Sequence, residues 1–467
     1  TLTSFQNTAG STYTGVYTVV EGQTDRNAAA SNFVSIVLSD AAGNTNSAFT
    51  TLTESGGDIT IDANSPAISS ATVAGGTKKI GDVITITVAA VTAGYTLGTS
   101  TMNGVNLAGF NDATGGSYTM TYTVVEGNTD RAAGATPISI ILTDSFGNTN
   151  SAFTSLTESS ALVIDANAPA ATTSATIPGG TAKVGTVITV TIVAGESGLT
   201  CSSCTMNGVA LAAFALSSGT TYTATYTVVE GNTDRAAGAT PISITLTDAA
   251  GNSNAAFTTL TESSAQTIDA NSPAATLSVT GGTDALGVGE TITLTIVGQE
   301  GSLTCSTCTM NGGTLTSFQN TAGSTYTGVY TVVEGQTDRN AAASNFVSIV
   351  LSDAAGNTNS AFTTLTESGG DITIDANSPA ISSATVAGGT KKIGDVITIT
   401  VAAVTAGYTL GTSTMNGVNL AGFNDATGGS YTMTYTVVEG NTDRAAGATP
   451  ISIILTDSFG NTNSAFT

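Results

Sequence analysis

Apolar and hydroxyl-bearing side chains alternate along much of this chain. Val83-Ile84-Thr85-Ile86-Thr87-Val88 alternates from Ile84 onward, and Tyr118-Thr119-Met120-Thr121-Tyr122-Thr123-Val124 does so without a break. Ile138-Ser139-Ile140-Ile141-Leu142-Thr143 follows the same rule with one extra apolar residue. A period of two with many β-branched residues marks half-buried antiparallel strands. Gly75-Gly76, Gly115-Gly116 and Gly147-Asn148 punctuate the runs as turns. No stretch sustains a period of 3.6, so the predicted elements are strands. We place strand A after Pro66, B at 82–90, C at 100–107, a short D at 108–112, E at 117–125, F at 137–143 and G at 151–164. In a Greek-key sandwich of alternating strands, the A–B, C–D and E–F loops lie where the chain leaves. The B–C, D–E and F–G loops lie where it enters.

One hexapeptide sets the spacing of everything else. Ile164-Asp165-Ala166-Asn167-Ala168-Pro169 recurs as Ile61 to Pro66, Ile268 to Pro273 and Ile374 to Pro379, with Ser replacing Ala168. The four Asp positions lie 103, 104 and 106 residues apart (165 − 62, 269 − 165, 375 − 269). An apolar residue ends a strand, two short oxygen-bearing side chains follow, and Pro stops the ladder. The element reads as a joint between domains. About seven strands per unit give an all-β fold, a tandem array of immunoglobulin-like β-sandwich domains of about 104 residues. The expected boundaries are 1–61 (the C-terminal part of a domain), 62–164, 165–268, 269–374, and 375–467 (a domain lacking its last strand).

Residues 314–467 repeat residues 1–154 without a change, an offset of 313 (314 − 1). The repeating block is therefore three related domains, and such arrays serve as stalks or fibres in which length is the selected property. Thr1 falls inside a unit, so the chain reads as a window from something longer. The last sheet is expected to be short of strand G through truncation, the alternative being a strand supplied by a neighbouring chain.

Charge changes the picture more than composition does. Only 9% of residues are charged, yet the net charge is −23, because 33 acids face 10 bases. Such a surface avoids nucleic acid and anionic membranes and attracts divalent cations. There is no His, so the commonest general acid–base is absent, which counts against most hydrolase chemistries. No apolar run reaches the roughly 18–20 residues of a membrane helix, and no signal peptide starts the chain.

The four Cys form two pairs, Cys201-x-x-Cys204 and Cys305-x-x-Cys308. A redox or metal pair competes with a small structural disulfide of an exported protein, and the disulfide is favoured. Nothing helical surrounds them, and zinc would need two further ligands. The equivalent positions in the second domain are Leu97 and Ser100, so the fold does not require the pair.

Two acidic motifs accompany every joint. The E–F loop reads Glu126-Gly127-Asn128-Thr129-Asp130-Arg131, with counterparts Glu21 and Asp25, Glu230 and Asp234, and Glu334 and Asp338. The F–G turn reads Asp144-Ser145-Phe146-Gly147-Asn148, with counterparts beginning at Asp248, Asp353 and Asp457. By the strand order above, the E–F acids meet the outgoing joint residues Asp62 and Asn64, Asp165 and Asn167, Asp269 and Asn271, or Asp375 and Asn377. The next domain presents its F–G turn from the other side. Calcium takes six to eight oxygens from carboxylates, amides, backbone carbonyls and water. The expectation is a calcium site at each joint, turning two domains into one rod. Blander readings stand beside it. Asp-x-x-Gly-Asn is a common turn in its own right. Glu126 and Asp130 could pair with Arg131, and the joint could be a stiff linker.

These motifs resemble two families. Asp-Ala-Asn-Ser-Pro resembles the calcium-binding linker of cadherins, though shortened and lacking its second Asp. More closely, each unit resembles the bacterial immunoglobulin-like domains of giant surface adhesins, through Gly81-Asp82-Val83-Ile84-Thr85-Ile86-Thr87-Val88, Asp248-Ala249-Ala250-Gly251-Asn252 and the short Asp-containing linker before Pro. The resemblance implies calcium at domain junctions held by Asp62, Asp165, Asp269 and Asp375 with Asp144, Asp248, Asp353 and Asp457. It also implies a cell-surface stalk whose adhesion resides in a terminal domain.

The function expected is thus non-enzymatic and structural, an extracellular stalk or filament whose partners are other copies or neighbouring domains of the same fibre. The alternative is an adhesin whose repeated domains themselves bind a glycan or a partner cell surface. Tyr95 and Phe146 are its nearest aromatic candidates, and not every unit shares them. An enzyme would need a base, a nucleophile partner or a cofactor motif, and the sequence supplies none. No Asn-x-Ser/Thr sequon occurs, so N-glycosylation is not expected. Isopeptide cross-links need a Lys in each unit, and residues 269–374 have none.

Overall fold

The computed structural model describes residues 1–27, 34–280, 285–340 and 346–467. All regular structure among them is β, in tandem immunoglobulin-like sandwiches. No helix among the described residues is long and apolar enough to cross a membrane. The chain divides into two compact units. The first holds Thr1–Thr176, Val190–Ala224 and Pro241–Leu260, and the second holds Ile177–Thr189, Thr225–Thr240 and Thr261–Thr467. The residues gathered at the Asp62 and Asp165 joints belong to the first unit, and those at Asp269 and Asp375 to the second.

In the first unit, the sandwich of residues 62–164 shows how the alternation is used. Val83–Ala90 pairs antiparallel with Ile68–Val73 on one side and with Ser117–Thr123 on the other, and Ala108–Asp112 extends the sheet. Ile84, Ile86 and Val88 face inward against Tyr118, Met120 and Tyr122, while the intervening Thr residues face outward. The opposing layer brings Ile138, Ile140 and Leu142 to the same core. Burying alternate β-branched and aromatic side chains is the main stabilising term here, at about 1.5–3 kcal/mol per fully buried large side chain.

Two predicted strands take a different form. The stretch expected as strand C is a hairpin, Thr101–Met102 against Val105–Asn106. Its turn residues Asn103 and Gly104 have φ of 55° and 79°. Two successive positive φ values are the signature of a tight hairpin turn, for which Asn-Gly is the preferred pair. The stretch expected as strand G splits three ways. Phe153 bridges Ile140 antiparallel, Thr157–Glu158 runs parallel to Thr72–Val73, and Leu162–Ile164 runs parallel to Gly76–Lys78. The final strand therefore leaves the sheet edge pointing straight into the joint.

In the second unit, residues 269–374 build the same sheet from Thr316–Ala322, Thr325–Thr331, Thr291–Gly298, Ala275–Thr280 and Thr366–Ser368. Residues 375–467 build a four-stranded version from Ile381–Val386, Val396–Ala403, Ser430–Thr436 and Ala421–Asp425.

Candidate metal centre at the joints

The joint is anchored rather than free. Asp165 N donates to Lys78 O at 2.9 Å, continuing the parallel pairing by one residue. Ala166 is fully buried in the domain it leaves, as are its counterparts Ala270 and Ala376. Its N–H donates to Asp130 Oδ1 at 2.8 Å, and its carbonyl accepts from Gly127 N at 3.0 Å. The E–F loop thus wraps the outgoing chain and covers the Ala side chain.

The E–F acids and the joint residues come together at each junction. Asp130 Oδ1 also accepts from Asn167 Nδ2 at 2.8 Å, and Glu126 accepts from Ala168 N at 3.2 Å. Asp25 accepts from Ala63 N at 2.9 Å and Asn64 Nδ2 at 2.6 Å, and Glu21 accepts from Ser65 N and Ser65 Oγ. Asp234 takes Ala270 N and Asn271 Nδ2, both at 2.8 Å, while Glu230 takes Ser272 Oγ at 2.6 Å. Asp338 and Glu334 repeat this with Ala376, Asn377 and Ser378.

From the other side comes the F–G turn of the following domain. Asp144 Oδ1 accepts from Phe146 N and Asn148 N, both at 2.9 Å, which is the side-chain-capped turn its residues favour. Asn148 Nδ2 reaches back to Asp62 O at 3.2 Å. Asn252 does the same to Asp165, Asn357 to Asp269 and Asn461 to Asp375. At the first joint a cleft of about 340 Å³ is lined by Asp25, Asp62, Asn64, Ser65, Asp144 and Tyr95, among others.

Negative charge is concentrated where these segments meet. Burial pushes the Asp165 carboxyl above the usual carboxylate range, and Asp248, Asp130 and Glu196 push it further, against the Asn167 amide that lowers it. Asp269 is raised by burial and then by Asp353, Asp234 and Glu230. Asp375 is raised by burial and then by Asp338, Asp457 and Glu334. Glu300 is raised by burial and by Asp353, Asp269 and Asp234. Conversely, the Ser65 hydroxyl holds Glu21 below its ordinary value, and the Ser272 hydroxyl does the same to Glu230. Glu196 and Glu300 escaped the motif reading, because the second domain has no acid in its B–C loop. That loop's predicted place at the incoming end was the clue to them.

The donor chemistry fits a hard cation, since every group is an oxygen and several carry uncompensated charge. Among the described residues, however, no three ligating side chains are gathered closely enough to hold a metal ion as they stand. The E–F carboxylates are engaged by backbone amides instead.

The remaining candidates sit elsewhere. Arg131 turns away from Glu126 and Asp130, its Nε donating to Asn103 Oδ1 at 2.7 Å. Arg339 pairs with Glu367 at 2.7 Å and lies 3.9 Å over the Phe346 ring. Tyr95 stacks on Tyr118 with ring centroids 6.1 Å apart, and Phe146 is exposed. Cys201–Cys204 and Cys305–Cys308 are disulfides, each within one strand, Thr200–Met206 and Thr304–Met310.

No family model matches the chain, and no curated protein matches it. Solved structures similar to it include the N-terminal eight Ig domains of Down Syndrome Cell Adhesion Molecule, at 11% identity over 89% of this chain and 57% of that one, with a TM-score of 0.22. The chain thus spans a little over half of that structure. An I-band fragment of titin matches at 12% identity over 65% of this chain and 99% of that one, with a TM-score of 0.27. Extracellular cadherin domains 1–4 of a gamma protocadherin match at 11% identity over 80% and 91%, with a TM-score of 0.19. Likeness at this level carries no argument about what the chain does.

Proposed function

We propose that this chain is a non-enzymatic structural protein of the cell exterior, a stalk or filament of tandem sandwiches stiffened at its joints by calcium. The observation that carries this reading is the recurrence of one docked joint at four successive junctions, each with a buried Ala and an E–F carboxylate on its amide. A flexible linker would not repeat the same side-chain-to-backbone bonds. A repeated heterologous contact that does not close on itself builds an open array. Calcium would take its oxygens from Asp165, Asp130, Asp248 and Glu196 at one joint, and from Asp269, Asp234, Asp353 and Glu300 at the next. Its charge would offset the mutual repulsion of those groups. The side chains of this chain do the positioning, and no catalytic step is proposed.

The test uses the full chain. Calcium is expected to raise the melting temperature and the maximum dimension in solution scattering, and EDTA to reverse both. Identical melting and scattering with calcium and with EDTA would remove the cation and leave a stalk held by hydrogen bonds alone.

A further inference from the structure

We infer that the carboxamide closing each F–G turn, on Asn252, Asn357 and Asn461, is a metal-independent latch that reads the backbone of the preceding domain and couples the two. The inference goes beyond the calcium reading and stands without it.

Asn252 is 3% exposed although it sits on a turn at the end of its domain. Its Oδ1 accepts from Ile80 N at 2.9 Å, 172 positions earlier, in the A–B loop of the domain before. Its Nδ2 donates to Asp165 O at 3.2 Å, Asp165 Oδ1 at 3.1 Å and Asp248 Oδ2 at 3.1 Å. One side chain therefore ties together the preceding domain, the joint and its own turn. Asn357 repeats the arrangement, with Val184 N at 2.8 Å and Asp269 O at 3.2 Å. Asn461 does so with Val288 N and, at 3.1 Å, Asp375 O. At the Asn357 junction, Lys183 Nζ adds a bond to Gly356 O at 2.7 Å.

The amide's orientation follows from chemistry. At Asn252 and Asn357 three oxygens face one end, at Asn461 two do, and in each case a single N–H faces the other, so the NH₂ group must point at the oxygens. No other side chain of this size serves both ends. Asp would lose the donors and bring another carboxylate beside Asp165 and Asp248. Ser is too short to span the gap, and Ala would strand a buried amide.

What the latch reads is backbone. The three loops it meets are Lys79-Ile80, Lys183-Val184 and Gly287-Val288, in which no side chain is common to all three at either position. A contact indifferent to side chains lets related but unlike domains follow one another in any order. The partner it fits is any copy of the unit presenting an A–B loop amide.

Hydrogen exchange on the full chain tests this at single amides. In Asn252→Ala the Ile80 amide should exchange roughly tenfold faster or more, with Val184 unchanged. Asn357→Ala should release Val184 and spare Ile80, and Asn461→Ala should release Val288 alone. The Ile244 amide, bonded to Phe257 O at 2.9 Å, reports that the domain carrying Asn252 stays folded. EDTA applied to the wild type should leave Ile80 and Val184 protected. Unchanged exchange at Ile80 in a folded Asn252→Ala protein would overturn the latch, and so would release of both amides by EDTA alone. Insensitivity of melting to EDTA, in contrast, overturns only the calcium reading.

Discussion

Asp130 accepts the backbone amide of Ala166 at 2.8 Å, so a loop acid of one domain holds the chain at the moment it leaves that domain. The same oxygen takes the exposed Asn167 side chain, but it is the amide of buried Ala166 that has little other recourse. Asp130→Ala should cost about 1–3 kcal/mol of local stability through the orphaned, buried amide. Asp130→Asn keeps an acceptor and should cost less. Hydrogen exchange of the Ala166 amide measures the difference directly, and equal exchange in both variants would deny Asp130 this role.

The joint carboxylates make stability depend on pH in two opposing ways. Asp165, Asp269 and Asp375 are raised in the folded protein, chiefly by burial. Their contribution is fully present below the ordinary Asp value and is lost as pH rises through their raised values. Glu21 and Glu230 are lowered by their serine partners. Their contribution is present above the ordinary Glu value and is lost as pH falls through their lowered ones. In EDTA, acidifying from neutrality toward the raised Asp values should therefore tighten the joints before the Glu–Ser bonds fail. Asp165→Asn combined with Asp269→Asn and Asp375→Asn should flatten the rise. A melting curve with the same pH slope in the triple variant would contradict this assignment.

Gly75 and Gly301 should respond differently to the same change. A Cβ on Gly75 would lie 2.0 Å from Ser160 O, and nothing lies within 4 Å of one on Gly301. Gly75→Ala should destabilise its domain by roughly 1–3 kcal/mol or more, since backbone must move to admit the methyl. Gly301→Ala should stay within about 0.5 kcal/mol. Gly179→Ala, facing Ser264, should resemble Gly75→Ala. Urea unfolding followed by exchange within each domain separates the three.

The disulfides should be structural and modest. A thiol assay on the native chain should read near zero, since all four Cys are paired. Each bridge closes so short a loop that removing it costs roughly 2 kcal/mol at most on loop-entropy grounds. Cys201→Ser with Cys204→Ser should fold with unchanged joints. Two reactive thiols per pair in native protein would point to redox chemistry instead.

Most strands, the recurrence of the joint and its E–F and F–G acids were legible in the sequence, because alternation and repetition can be read along the chain, whereas Glu196 and Glu300 belong to no motif that every unit repeats. The Asn103-Gly104 hairpin was legible in principle and was read through as strand. Hidden altogether were the burial of Ala166, the inward turn of Arg131 to Asn103 and the approach of Asn252 to Ile80. Each depends on a partner between 28 and 172 positions away, and no local pattern encodes such a distance.

Ile140 and Asn252 show where that limit lies. The alternation from Ile138 to Thr143 made Ile140 a strand residue with an inward register, and it is fully buried in the core of its domain. Nothing local marks Asn252 for burial, since it closes a polar turn at the end of a domain. It is covered because its carboxamide lies between Ile80 N and Asp165 O. The chain's own pattern chose which face of each strand is apolar. Only the assembled sandwiches decided which turn residue was covered, because burial belongs to a residue's surroundings and not to the residue.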